Sequence, residues 1–173
     1  KNISLCKWLY DNGAAVDNTK ANNDSATPMY IACQYGHLSV CKWLFEVGAA
    51  ADVTKANNNG VTPMCIACHQ GQLSVCKWLF EVGAAAGVAK ANSVGPTRLR
   101  IACQHGQLSV CKWLFEVGAA ADITKANNNG ATPMWIACQN GDQSVCKWPL
   151  AGAAAADSTT AHTNGPTPMW AAC

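Results

Sequence analysis

Cysteine and histidine are the residues of this chain whose spacing comes closest to that of a reactive site. Cys65, Cys68 and His69 spell Cys-X-X-Cys-His, the sequence to which c-type haem is attached. The cysteine at 68, however, recurs in every copy of a sequence repeat, whereas Cys65 and His69 occur in one copy alone. We therefore interpret Cys68 as a structural residue, and we expect no haem and no other cofactor.

The remaining cysteines follow the same repeat. Of the eleven in the chain, ten fall into two series, at 33, 68, 103, 138 and 173 and at 6, 41, 76, 111 and 146. Free cysteine is commonly buried and packs as a small hydrophobe, which predicts buried free thiols and a reducing, intracellular, cytoplasmic location. Cys33 and Cys41 lie eight residues apart with no second pair at zinc-finger spacing, so we expect no metal. Equivalent cysteines of adjacent copies should lie about 8–10 Å apart, beyond disulfide reach.

Nucleophilic catalysis needs a particular serine or cysteine together with a histidine and an acid. The histidines at 37, 69, 105 and 162 occupy different places in the repeat, and most acids are copies of one another. Residues copied in every repeat belong to a scaffold. We therefore predict that the chain is not an enzyme and has no catalytic residues.

The repeat itself is 35 residues long. The stretch 27–61 returns from Thr62, in altered form from Thr97, again from Thr132, and begins once more at Thr167. Internal repetition at this period predicts a solenoid whose copies bury their apolar faces against one another. We expect one array over 1–173, with a partial copy 1–26, complete copies 27–61, 62–96, 97–131 and 132–166, and a partial copy 167–173. Because both ends fall inside a copy, we expect a fragment.

Each copy predicts two helices. Thr27 and the proline after it favour a helix start, and Gly36 favours a left-handed stop after a helix ending near Tyr35. A second helix over about 38–47 is apolar on most of its circumference and ends at Gly48. The segment that follows contains Asn-Gly, which is typical of a turn, and predicts either a loop or a short β-hairpin.

The order of Thr-Pro-Met-X-Ile-Ala-Cys, Gly-X-Leu-Ser-Val and Gly-Ala elements resembles the ankyrin repeat. The resemblance covers essentially the whole chain and implies an all-α, ankyrin-type solenoid of helix-turn-helix copies. Two alanines after Gly48 lengthen the family's repeat of about 33 residues. The family's histidine position instead holds Tyr30, Cys65, Arg100, Trp135 and Trp170. Helical arrays that read RNA have a similar period, but the long loop with its forced break at Pro63 argues against one.

Some copies depart from the pattern. Gly87 replaces an aspartate in the third loop, and Arg98 replaces the helix-starting proline, which should loosen that helix start. Pro149 replaces a leucine inside a second helix, so we predict a break near Trp148 and a weak C-terminal end. The tryptophans at 8, 43, 78, 113 and 148 form a series that predicts packing between copies. Trp135 and Trp170, which lie outside this series, should be partly exposed.

The family resemblance implies a protein-binding scaffold that uses the first helices and the tips of the loops, on a concave face. Arg98 and Arg100, found in one copy, fit either an acidic partner or a drifted repeat. The partner-binding candidates are Gln34, Tyr35, His69, Gln70, Arg98, Arg100, Gln104, His105, Trp135, Gln139 and Asn140, with tips at Asn23, Asp24, Asn58, Asn59, Ser93, Val94, Asn128 and Asn129.

Composition narrows the kind of partner. The net charge is +2 without a basic stripe, and 13% of residues are charged, so we expect a protein partner and no nucleic acid. No apolar run is long enough to span a membrane, and we expect a monomer. Two other hypotheses stay open: a non-catalytic targeting or spacer arm of a larger enzyme or signalling protein, or a decaying repeat array with no ligand.

Overall fold

The structure is a computed structural model that describes residues 3–84, 97–123, 125–127 and 129–148. The chain divides into two compact units, Lys1–Ala85 and Ala86–Cys173, which are treated separately below. All regular elements of the described residues are helical, and no strand occurs among them. The loops between copies, where they are described, are therefore turns rather than β-hairpins.

The N-terminal unit contains five α-helices in the described residues. They are α1 (Ile3–Asp11), α2 (Pro28–Gln34), α3 (Leu38–Leu44), α4 (Pro63–His69) and α5 (Leu73–Glu81), with 3₁₀ turns at Ala14–Asp17 and Ala50–Val53. The first helices of successive copies, α2 and α4, pack against each other, and each packs on the second helix of its own copy. The second helices, α3 and α5, contact each other in the same order. The predicted helix-turn-helix copy is confirmed here.

The C-terminal unit repeats this arrangement. It holds α6 (Arg98–Gln104), α7 (Leu108–Glu116), a 3₁₀ turn at Ala119–Asp122, α8 (Pro133–Gln139) and α9 (Gln143–Lys147). Here α6 packs on α8, while α7 and α9 pack on the first helices of their own copies and on each other. The helix α9 ends at Lys147, next to Trp148, where the break was predicted. Gly87, Pro149 and Trp170 themselves lie outside the described residues.

The helix boundaries follow from the residues predicted to set them. The hydroxyl of Thr27 accepts a hydrogen bond from the backbone N–H of Tyr30 at 3.2 Å, and Gly36 follows α2 with φ +70°. Only residues that tolerate the left-handed region without strain end a helix in this way. Thr97 caps α6 through the N–H of Arg100, also at 3.2 Å, although Arg98 replaces the proline. The predicted loosening of this start stays a prediction.

The core is built from the same repeat positions in each copy. The residue two after the capping threonine is fully or almost fully buried in the four complete copies, as Met29, Met64, Leu99 and Met134. A valine and a leucine of the second helix are likewise inaccessible, as in Val75 and Leu79. Burying each such side chain stabilises the fold by about 1.5–3 kcal/mol. Burial of the same few apolar side chains in each copy therefore holds its two helices together.

Aromatic rings join consecutive copies along the second helices. Tyr10 meets Trp43 edge to face with ring centroids 5.5 Å apart, and Phe45 meets Trp78 in the same way at 5.8 Å. In the C-terminal unit Phe115 and Trp148 repeat the contact at 5.4 Å. Pairs of this geometry contribute about 0.5–1.5 kcal/mol beyond the area they bury. The predicted role of the tryptophan series is confirmed by these contacts, although Trp8, the first of the series, is 58% exposed.

Two carboxylates are buried where the 3₁₀ turns end. Asp52 and Asp122 are 5% and 1% exposed, and each faces a lysine three residues on, at 3.9 Å and 2.6 Å. The second oxygen of each carboxylate is buried without a hydrogen-bond partner among the described residues. Burial raises the pKa of Asp52 above its usual value, and the attraction of Lys55 offsets only part of this. An ionised Asp52 therefore opposes folding.

The Asp52→Asn variant should unfold at a higher temperature than the wild type at pH 7. The raised pKa means that the folded state binds the proton more tightly. This tighter proton binding by Asp52 stabilises the folded state below the unfolded-state pKa of about 4. The stabilisation is lost as pH rises through the folded-state pKa. The gain of the variant should shrink as pH falls towards 4, measured by thermal unfolding followed by circular dichroism.

Asp17 provides the matched control, because it occupies the same repeat position with a side chain that is 58% exposed and 3.7 Å from Lys20. Exposed ion pairs contribute little to stability, so Asp17→Asn should leave the unfolding temperature nearly unchanged. A lower unfolding temperature for Asp52→Asn at pH 7 would show that the carboxylate is satisfied in the folded protein.

Candidate functional site

The residue after each first helix is exposed in the N-terminal unit. Tyr35 follows α2 and Gln70 follows α4, and Tyr35 is 62% exposed although it is a large aromatic residue. Gln34 and His69, one residue earlier, are half-buried. Because α2 packs alongside α4, and the Gln72 amide after α4 reaches the carbonyl of Gln34 at 3.4 Å, these helix ends lie on the same edge of the unit. The structure therefore brings together the four residues predicted there.

The Tyr35 ring is held by a neighbour in its own copy. It stacks on His37 with ring centroids 6.2 Å apart and an angle of 27° between the planes. A stacked ring loses less conformational entropy on binding than a freely rotating one, so pre-orientation favours its use as an anchor. Tyr35 thus combines a large exposed surface with a restrained position.

The loop tips lie before the starts of the first helices. Asn23, Asp24, Asn58 and Asn59 are all exposed, as predicted. The tips also bind each other, because Asn58 donates from its backbone N–H to the carbonyl of Asp24 at 2.9 Å. Its side-chain amide donates to the carbonyl of Asn23 at 3.1 Å. Asn58 therefore ties one copy to the next, and its amide N–H has a partner within the chain.

A second asparagine shapes each described tip. The side-chain oxygen of Asn57 accepts from the backbone N–H groups of Asn59 at 3.0 Å and Val61 at 2.9 Å. Asn22 and Asn127 make the same pair of bonds in their own copies. Sequence reasoning missed this role, although the Lys-Ala-Asn triplet recurs at each place. This local bonding of asparagine to the following backbone is typical of turns.

The C-terminal unit presents a similar edge. Gln104, His105, Gln139 and Asn140 are exposed at the ends of α6 and α8. The side-chain amide of Asn140 donates to the carbonyl of Gln104 at 2.7 Å, which satisfies an orphan carbonyl at the end of α6. In the N-terminal unit the amide of Gln72 reaches the carbonyl of Gln34 more loosely, at 3.4 Å. Of the predicted tip residues in this unit, Asn129 is exposed.

Arg98, Arg100 and Trp135 are half-buried near the starts of α6 and α8. The Nε of Arg100 is buried and has no hydrogen-bond partner among the described residues, and burial lowers its pKa. Trp135 takes the same repeat position in the next copy, and its predicted partial exposure is confirmed. A cation and an aromatic ring therefore occupy neighbouring copies of the family's variable position.

Three predicted tip residues, Ser93, Val94 and Asn128, lie outside the described residues. Cys68 is fully buried and Cys65 is half-buried on α4, in agreement with a structural role for the former. Within the described part of the chain, no three His, Cys, Asp or Glu side chains converge to hold a metal ion. No described helix has the length and apolarity needed to cross a membrane.

Comparison with known families agrees with this architecture. The family described as ankyrin repeats (3 copies) matches residues 1–90 and 85–159. The chain therefore belongs to the ankyrin repeat family, whose members generally mediate protein–protein interaction and are typically non-catalytic. A search of curated proteins found no match.

The Asn57→Ala variant should be less stable than the wild type by about 1–2 kcal/mol. The substitution leaves two turn N–H groups without their acceptor, and Asn57 is half-buried, so solvent replaces that acceptor poorly. Urea unfolding followed by circular dichroism measures the change. Asn59→Ala, two residues on, removes an exposed side chain but keeps its backbone N–H, and should change stability by less than about 0.5 kcal/mol. Equal losses in the two variants would contradict the role given to Asn57.

Proposed function

We propose that this chain binds a partner protein through the ends of its first helices and the tips of its loops. The observation that carries the proposal is the exposure of Tyr35, 62% exposed, beside exposed Gln70, while the second helices supply much of the core. A large aromatic residue left on the surface and held by stacking is the kind of residue that dominates binding energy in protein interfaces.

The distribution of sequence differences supports this surface. The second-helix block Leu-Ser-Val-Cys-Lys-Trp-Leu-Phe-Glu is identical from 38, from 73 and from 108. Its valine, cysteine and leucine are buried at Val75, Cys76 and Leu79, so packing accounts for their repetition. The helix ends differ from copy to copy instead, with Tyr35, Gln70, His105 and Asn140 at one position. Differences at these exposed positions suit a surface adapted to a particular partner.

The chemistry of the two units implies different contacts. In the N-terminal unit an aromatic ring stands among neutral amides, which favours a partner surface of apolar and uncharged polar groups. In the C-terminal unit Arg100 places a positive charge at a half-buried position, and an acidic side chain of the bound protein would pair with the accessible part of its guanidinium group. Under this proposal Arg98 and Arg100 serve to bind an acidic partner. The alternative, that they are drifted repeat positions without a function, is tested by the following experiment.

A combined Tyr35→Ala and Gln70→Ala variant should bind the partner at least about tenfold more weakly than the wild type, a loss of about 1.4 kcal/mol. The partner is first isolated with the full chain as bait, then purified, and its affinity is measured by isothermal titration calorimetry. The unfolding temperature should stay close to that of the wild type, because both substituted side chains are exposed.

Lys42→Ala is the matched control, since Lys42 is exposed on α3, a second helix. This variant should bind with wild-type affinity. Arg100→Ala should weaken binding and reduce its dependence on salt if the partner is acidic, and unchanged binding would favour drift. Loss of binding in Lys42→Ala, with full binding in the combined variant, would place the interface on the second helices and overturn the proposal.

A further inference from the structure

The two cysteines of each copy form pairs of touching sulfur atoms. Sγ of Cys33 lies 3.7 Å from Sγ of Cys41, the Cys68 and Cys76 sulfurs are 3.8 Å apart, and the Cys103 and Cys111 sulfurs are 3.6 Å apart. In each pair one cysteine comes from the first helix and the other from the second helix of the same copy. The fourth pair, Cys138 and Cys146, is also hydrogen-bonded.

We infer that each pair is a dithiol site that hydrogen peroxide converts into a disulfide between the two helices of one copy. A disulfide has an S–S length of about 2.05 Å, so the sulfurs must approach by about 1.7 Å from their present contact. Because the two sulfur atoms are already in contact, no other side chain separates them. The repetition of one contact in three described pairs shows that the arrangement is a property of the repeat.

The reaction balances within the pair. The thiolate of one cysteine attacks a peroxide oxygen, which breaks the O–O bond and gives a sulfenic acid and, after protonation, one water. The sulfur of the second cysteine then attacks the sulfenic sulfur, which releases a second water and forms the S–S bond. The two thiols lose two electrons and two protons in total, and peroxide is reduced to two waters.

Burial determines the order in which the pairs are oxidised. The hydrogen bond with Cys41 and then burial raise the pKa of Cys33, and the bond with Cys111 and then burial do the same for Cys103. The reactive thiolate is therefore scarce at Cys33 and Cys103. Cys146 is half-buried, whereas Cys33, Cys41 and Cys68 are fully buried. Burial raises the pKa of Cys146 to about 12, so its pair also reacts slowly, but peroxide reaches it more easily than the others.

Two further cysteines provide internal controls. Cys6 and Cys65 are both half-buried, and among the described residues neither has a sulfur contact of this kind. Peroxide should oxidise such thiols to oxyacids or link them between chains, because within the described part of the chain neither shares a hydrogen bond with a second thiol. A folded chain should therefore give disulfides in the pairs and not at these two positions.

The experiment treats the reduced, folded full chain with hydrogen peroxide. Free thiols are then blocked with N-ethylmaleimide in denaturant, and tryptic peptides are analysed by mass spectrometry. No lysine or arginine separates the two cysteines of any pair, and a lysine follows the second cysteine each time. An oxidised pair therefore appears in one peptide that is lighter by two hydrogen atoms and carries no blocking group on that pair.

We expect the Cys138–Cys146 peptide to be oxidised first, the three buried pairs later, and all of them to return to thiols with dithiothreitol. The same treatment in denaturant should give mixed pairings that include Cys6 and Cys65. The Cys146→Ser variant should lose the first oxidation product and keep the other three. Disulfides between copies, or oxyacids in place of disulfides at the pairs, would overturn the inference. The readout is independent of partner binding.

Discussion

No 35-residue copy of this repeat can bury its own apolar face, and each unit depends on the contact between neighbouring copies within it. Within the N-terminal unit, α2 lies against α4 and the Phe45 ring meets Trp78 edge to face at 5.8 Å. Stability in such an array is close to a sum of contributions from the copies and the interfaces between neighbours. The same residue types therefore recur wherever a copy meets the next one.

This constraint also decides which polar side chains are left for a partner. Asn58 and Asn140 are exposed, yet their amides donate to backbone carbonyls of the preceding copy, at 3.1 Å and 2.7 Å. A partner that competed for these amide N–H groups would have to replace existing hydrogen bonds, so its net gain would be small. Tyr35 is different, because its described ring contact is with His37 of its own copy. Exposure alone does not separate these two groups of residues, whereas their contacts do.

The sequence predicted the features that depend on local residue types. The cap at Thr27, the stop at Gly36 and the packing of the tryptophan series needed only the propensities of single residues and the 35-residue period. The contact between Cys33 and Cys41 could not be predicted, because it depends on how two helices close around the turn between them. The burial of Asp52 was missed for a related reason: its exposed counterpart Asp17 lies in a similar sequence, Ala-Ala-Val-Asp-Asn-Thr-Lys against Ala-Ala-Ala-Asp-Val-Thr-Lys, but in a different environment.

The Cys33–Cys41 pair and part of the candidate binding surface belong to the same turn, between α2 and α3. Tyr35 and His37 lie between Cys33 and Cys41 in the chain, on the turn between α2 and α3. The contact of the two sulfur atoms joins these two helices. Gly36 at the centre of this turn has φ +70°, a conformation that glycine adopts without strain. A disulfide between Cys33 and Cys41 would close a covalent ring around this turn and would restrain the segment that carries Tyr35. The loop tips at Asn23 and Asn58 lie outside the segment that the two cysteines enclose, so the sulfur pair bears on the helix ends and not on the tips.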